Sequence, residues 1–316
     1  MVSFFEALFK SQWQAIVFWL VSVPTIPLYL LIVFTIIYRR RSESRFQTTY
    51  YNCVLSQALA DFVAMPSEIG VFILRNMGLF KDFYWENQAF IAPYGYNSNH
   101  FLMMLRVFGD CLVSLQRVVV LCYPNSKVHK ITSSLTFGTI LCLHWIPPFF
   151  LVLPITLYWN KTFDNRENLL FVVDPGHQLM SSYLEVGYQL AFFTISVVAY
   201  SNVFKLIVKH RSVKGLTAEM RLSLVVIGQS IAFAMSLVFY VTQLFVVLMK
   251  VKDGMLSVRA YYPLMTGLES YINPWLHLIL NSHLRKEILK LIGLRRLKSS
   301  IVTASDGTRS NTHLPL

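Results

Sequence analysis

Seven long apolar runs, separated by short polar segments, make up most of the chain. They cover residues 15–38, 48–74, 91–122, 132–158, 182–208, 222–249 and 258–280. Each meets or exceeds the roughly 20 residues that a helix needs to cross a bilayer. Backbone polar groups find no water at that depth, so such runs are expected to be helical. Pro24 and Pro27 should kink the first span, and Pro147, Pro148 and Pro154 the outer half of the fourth. After the seventh span, Leu284, Ile288, Leu291 and Ile292 recur at helical spacing with basic residues between them. This predicts a short amphipathic helix over 282–292, lying on the membrane surface and stopped by Gly293. Residues 1–292 then form one all-α membrane domain. Residues 293–316 read as a disordered tail, in which Ser299, Ser300, Thr303, Ser305, Thr308, Ser310 and Thr312 could accept phosphate.

Composition agrees with a membrane protein. The chain of 316 residues is 55% hydrophobic and only 14% charged, too little charge to cover a soluble fold of this size. The net charge of +12 is concentrated in segments between and after spans, so topology explains it and nucleic acid is not expected as a partner. Eighteen Lys and Arg residues fall in the segments after spans one, three, five and seven, and eight in the segments on the other side. Positive segments stay cytoplasmic, which places the N-terminus outside and the C-terminus inside. Asn160-Lys-Thr162, a glycosylation acceptor, then lies in an outer loop. No cleaved signal peptide is expected at the N-terminus.

Cys53, Cys111, Cys122 and Cys142 lie in apolar runs and read as small buried hydrophobes, with no disulfide framework or metal cluster. No nucleophile with a neighbouring base and no Gly-rich phosphate loop is present, so neither an enzyme nor a cofactor is expected.

The third span ends in Val113-Ser-Leu-Gln-Arg-Val-Val-Val-Leu-Cys-Tyr-Pro124, apolar except for Arg117 near its inner end. Arg117 could simply anchor the helix by reaching the interface. Gln116-Arg117-Val118, followed by Pro124, however, resembles the Asp-Arg-Tyr segment of rhodopsin-like G-protein-coupled receptors. Ala58-Leu-Ala-Asp61 resembles that family's span-two motif, and Asn273-Pro274-Trp-Leu-His277 its Asn-Pro-x-x-Tyr; Trp145 is similar to its span-four tryptophan. The chain departs from the pattern at Gln116, Val118 and His277. Its sixth span has no proline, and Ala92 stands about where the family has a disulfide cysteine. The short N-terminus, the aromatic-rich body and the basic helix after Asn-Pro are similar to the nematode serpentine chemoreceptors of classes gamma and V.

The resemblance implies that Arg117 is an activation switch, with Gln116, Tyr200, Asn273, Pro274 and His277 around it. It implies a small-molecule ligand, a heterotrimeric G protein and residence in the plasma membrane, for a chemosensory protein that of a sensory cilium. The missing acid beside Arg117 predicts raised basal activity.

Ionisable residues inside spans are costly and mark function. Asp61, Arg106, Asp110 and Glu269 are expected to form one cluster, with Asp110 one turn below Arg106. The family holds sodium among such positions; here the guanidinium of Arg106 is expected to replace it, although the cluster could equally pin helices together. Glu68 could face a ligand cavity or cap a polar network. Glu68, His100, Tyr240, Gln243, Tyr261 and Tyr262 are the candidate pocket residues. Two rivals come from other classes. A transporter or channel could use the charged cluster as a polar path, and an inverted seven-span channel would need the opposite topology.

Overall fold

The computed structural model describes residues 2–209, 216–249, 258 and 260–293. The seven spans are α1 (Val2–Arg40), α2 (Thr49–Ser67), α5 (Gln88–Cys122), α7 (Phe137–Thr156), α8 (Pro175–Lys209), α9 (Leu216–Leu248) and α10 (Tyr262–Leu280). Short helices link them: α3 (Leu74–Asn76), α4 (Lys81–Glu86) and α6 (Lys127–Ser133). The terminal helix α11 covers Ser282–Leu291. The segment between spans five and six, with Arg211 and Lys214, and the serine- and threonine-bearing tail lie outside the described residues.

Five helices are long and apolar enough to cross a membrane by length and composition: Trp13–Arg40, Thr49–Asn76, Phe137–Thr156, Pro175–Leu206 and Ser223–Leu248. The third and seventh spans fall short of that apolarity because they carry the polar interior. The third packs against the second, fourth, fifth and sixth. It can therefore hold Asn97, His100, Arg106 and Arg117 without showing them to lipid, all of them buried.

The fourth span starts later than its apolar run. Thr132 and Ser133 end the separate helix α6, and Thr136 caps the span by accepting from the Thr139 N–H at 3.3 Å. The second span also departs from a regular helix. Pro66 lies inside it, and a π-helical turn runs over Glu68–Ile73. The extra residue in such a turn shifts the phase of the side chains beyond it.

Gly109 sets the approach of three spans. A Cβ there would lie 1.8 Å from Gln57 Oε1 and 2.5 Å from His144 Nε2. His144 in turn bonds Ser56 Oγ at 2.7 Å and the Leu105 carbonyl at 2.8 Å. Gly109→Val should therefore cost roughly 1–3 kcal/mol through overpacking, read as a lowered melting temperature of the purified protein. An unchanged melting temperature would show that the contact is loose.

The terminal helix does not simply lie on a membrane. Leu284 and Ile288 pack into the core with Ile36, Phe46 and Tyr50. Arg39 Nη2 meets Glu287 at 2.8 Å, and Asn281 accepts from the Leu284 N–H. Leu289 and Ile292 remain exposed. All four cysteines are free, and Cys142 faces outward rather than into the core.

At the end away from the basic segments, β1 (Thr162–Phe163) pairs antiparallel with β2 (Phe171–Val172). No disulfide holds this hairpin. The Arg75 guanidinium lies 4.1 Å from the Phe171 ring and 5.5 Å from that of Phe163. Lys81–Glu167 at 2.8 Å and Arg166–Asp82 at 2.5 Å tie its turn to α4. Lys161, 2% exposed, donates to Asn97 Oδ1 and the Tyr158 carbonyl. Burial pushes its ammonium down to about 8. Ala92 is fully buried in the same cluster as Phe163, so packing fills the place where the resemblance implied sulfur.

Candidate functional site

Three groups of residues lie one below another along the third span. Midway, Arg106 is 3% exposed and reaches three carboxylates. Nη2 bonds Glu68 Oε1, Nη1 lies 3.3 Å from Glu269 Oε2, and Nε lies 3.5 Å from Asp61 Oδ1. Asp61 also accepts from Tyr29 Oη at 2.7 Å. The cluster thus joins spans one, two, three and seven. Planar guanidinium geometry suits this role, because its five donors fan out in one plane.

The expected membership changes by one residue. Glu68, at the start of the π-helical turn, takes the place expected for Asp110. Asp110 lies one helical turn from Arg106 but makes no ion pair with it, and its Oδ1 is buried without a hydrogen-bond partner among the described residues. It lines a void of about 10 Å³ together with Gln57, Gln229 and Glu269.

Toward the basic end, Arg117 is 2% exposed. Its guanidinium carbon lies 3.8 Å from the centre of the Tyr50 ring. Tyr50 Oη is 3.3 Å from His277 Nε2, and His277 Nδ1 is 2.8 Å from the Asn273 carbonyl. A carbonyl can only accept, so Nδ1 carries the proton, and in the neutral imidazole Nε2 then accepts from the tyrosine. Gln229 closes the chain by donating to Asn273 Oδ1 at 2.6 Å. Pro274 is buried beside Asn273. Tyr200 is buried in the same apolar cluster as Tyr50 and Val113. Gln116 is buried beside Arg117, with no partner for its Oε1 among the described residues. The motif residues are therefore connected through Tyr50, which the sequence motifs did not mark.

At the opposite end, a cavity of about 680 Å³ opens beneath the hairpin. His100, Tyr240, Gln243 and Tyr262 line it, as expected. Two other candidates do not. Glu68 is committed to Arg106, and Tyr261 is 45% exposed, with its ring against Trp13. Glu185 is a wall residue that sequence reasoning missed; its Oε1 bonds His100 Nδ1. The signal was present, since an acid in the fifth span falls under the same rule that marked Asp61. Tyr96 meets His100 edge-on at 4.4 Å, and Tyr262 Oη bonds Asn99 Oδ1. Asn160 is exposed at this same end.

Among the described residues no three His, Cys, Asp or Glu side chains gather as a metal site. No curated protein matches the chain. The family model for the serpentine type 7TM GPCR chemoreceptor Srv matches residues 18–294, which decides between classes gamma and V in favour of V. Arg106, Arg117 and the outer cavity therefore belong to a non-enzymatic, multi-pass membrane receptor, and the chain is a member of the Srv serpentine seven-transmembrane chemoreceptor family.

Proposed function

We propose that the 680 Å³ cavity binds a small extracellular molecule and that Arg117 transmits its binding to a heterotrimeric G protein. The observation that carries this reading is a cavity walled by spans three, five, six and seven, through His100, Glu185, Tyr240 and Tyr262. The third span runs from it past Arg106 to Arg117, 17 residues below His100, or about 25 Å at 1.5 Å per residue. Polar handles on an aromatic wall suit a small ligand held by a few directed hydrogen bonds. Binding would favour one of two pre-existing arrangements. In this orientation the basic end faces the cytoplasm, the N-terminus and the glycosylation acceptor Asn160 face outward, and the receptor resides in the plasma membrane.

The transporter reading is less well supported. Among the described residues, the void that Arg106, Asp110 and Glu269 line is about 10 Å³, space for a single water rather than a path. A screen of small molecules against cells expressing the receptor with a promiscuous G protein tests the proposal, with calcium as readout. Gln243→Ala and His100→Ala should each weaken an identified response tenfold or more at unchanged surface expression. Responses untouched by both variants would place the ligand elsewhere, and solute flux in proteoliposomes would favour the transporter.

A further inference from the structure

A second cavity, of about 510 Å³, opens at the basic end between the starts of α2 and α11 and the helix α6. It shares Arg117 and Gln116 with the switch, whereas Arg45, His129 and His283 have no part in the ligand or switch readings. Arg45, Arg117, His129 and His283 line it, and no Asp or Glu does. Glu43, outside the lining, lies 3.5 Å from His283 Nε2. Hydroxyls of Thr48, Ser133 and Ser282 add donors.

The second span begins at this wall. Its Thr48 makes no side-chain cap, and its first turn contains no acid. A helix start of this kind turns the positive end of its dipole and its first N–H groups toward whatever occupies the cavity. Gln116, 7% exposed, also lines the cavity, and its Oε1 has no partner among the described residues. A carboxamide supplies both a donor and an acceptor. That pair suits a group that is itself both, as a partly protonated phosphate is.

We propose that this cavity binds a phosphate-bearing anion, supplied either by the headgroup of a phosphorylated inositol lipid or by a soluble phosphate. Arg45 and His129 would be its outer contacts, with Gln116 and the start of the second span at its floor. The class follows from the charged and hydrogen-bonding part of the wall: cations, hydroxyls and a helix start, with no carboxylate in the lining.

The test uses the full receptor in phosphatidylcholine nanodiscs. Phosphatidylinositol 4,5-bisphosphate in the disc, phosphatidylserine at equal total charge, and inositol 1,4,5-trisphosphate or inorganic phosphate in solution are compared by thermal shift and by binding of a fluorescent inositol lipid. The inositol lipid should raise the melting temperature more than phosphatidylserine does. The double variant Arg45→Gln/His129→Gln should bind it at least tenfold more weakly. Lys127→Gln/Lys286→Gln, which removes two exposed charges outside the lining, should not. Stabilisation by the soluble phosphates as well would identify a free anion as sufficient, and stabilisation by the lipid alone would assign the headgroup. Equal effects of phosphatidylserine and the inositol lipid, or unaltered binding by the Arg45/His129 variant, would overturn the proposal.

Discussion

Replacing Arg106 by leucine should leave little folded receptor to purify. Three carboxylates, on Asp61, Glu68 and Glu269, lie within 3.5 Å of its guanidinium. Leucine would leave all three in the bundle core without their counter-charge. Removing one partner of a buried ion pair costs about 3–5 kcal/mol, because the remaining charge keeps its desolvation penalty. Lysine should rescue only in part, since one ammonium cannot reach three acids in different directions. The informative variant is Arg106→Leu combined with Glu68→Gln and Glu269→Gln, which removes both the cation and two of the anions. Recovery of monodisperse, surface-expressed protein in the triple variant, but not in Arg106→Leu, would show that charge balance rather than helix packing is at stake. A stable Arg106→Leu receptor would contradict the cluster's structural role. Because a fixed cation already sits among these acids, exchanging sodium for a large organic cation should leave the wild-type melting temperature and basal signalling unchanged.

Tyr50→Leu should raise ligand-free signalling markedly, while Arg117→Ala should abolish coupling at normal surface expression. The Tyr50 ring lies under the Arg117 guanidinium at 3.8 Å, in a buried site. A desolvated cation–π contact is worth about 2 kcal/mol. If it holds only the resting arrangement, its loss shifts that two-state equilibrium by roughly 30-fold. Tyr50→Phe keeps the ring and loses only the hydroxyl that reaches His277, so its basal activity should stay near that of the wild type. The readout is second-messenger level without ligand, normalised to surface receptor. Equal basal activity in the Leu and Phe variants would mean that the ring does not restrain Arg117. Raised signalling in the Leu variant alone would make the Tyr50 ring, on the second span, a substitute for the missing acid beside Arg117.

The seven spans were legible because hydrophobic length is a strong signal in a bilayer, even for the third and seventh, whose polar residues dilute it. What faces what was less legible. Glu68 was ambiguous because its orientation depends on the π-helical turn that follows Pro66, which no helical periodicity announces. No motif marks Tyr50, and aromatic residues at a span's end ordinarily serve as interface anchors. Glu185 was passed over although an acid inside a span is a clear mark. The spacing of Asp110 from Arg106 predicts a pair, but four residues of separation puts two side chains near each other without making them meet. The hairpin left almost no trace, since strands of two residues carry no usable alternation.

That hairpin has a consequence for how the receptor meets its surroundings. The roof of the outer cavity is tied by Lys81–Glu167, Arg166–Asp82 and the Arg75–phenylalanine contacts, without a sulfur bond. Thiol reductants have nothing to cut there. The two ion pairs are exposed at one or both partners, where dissolved ions screen them. The electrostatic part of the hairpin's attachment should therefore weaken as salt rises and stay unchanged when thiol reductants are added.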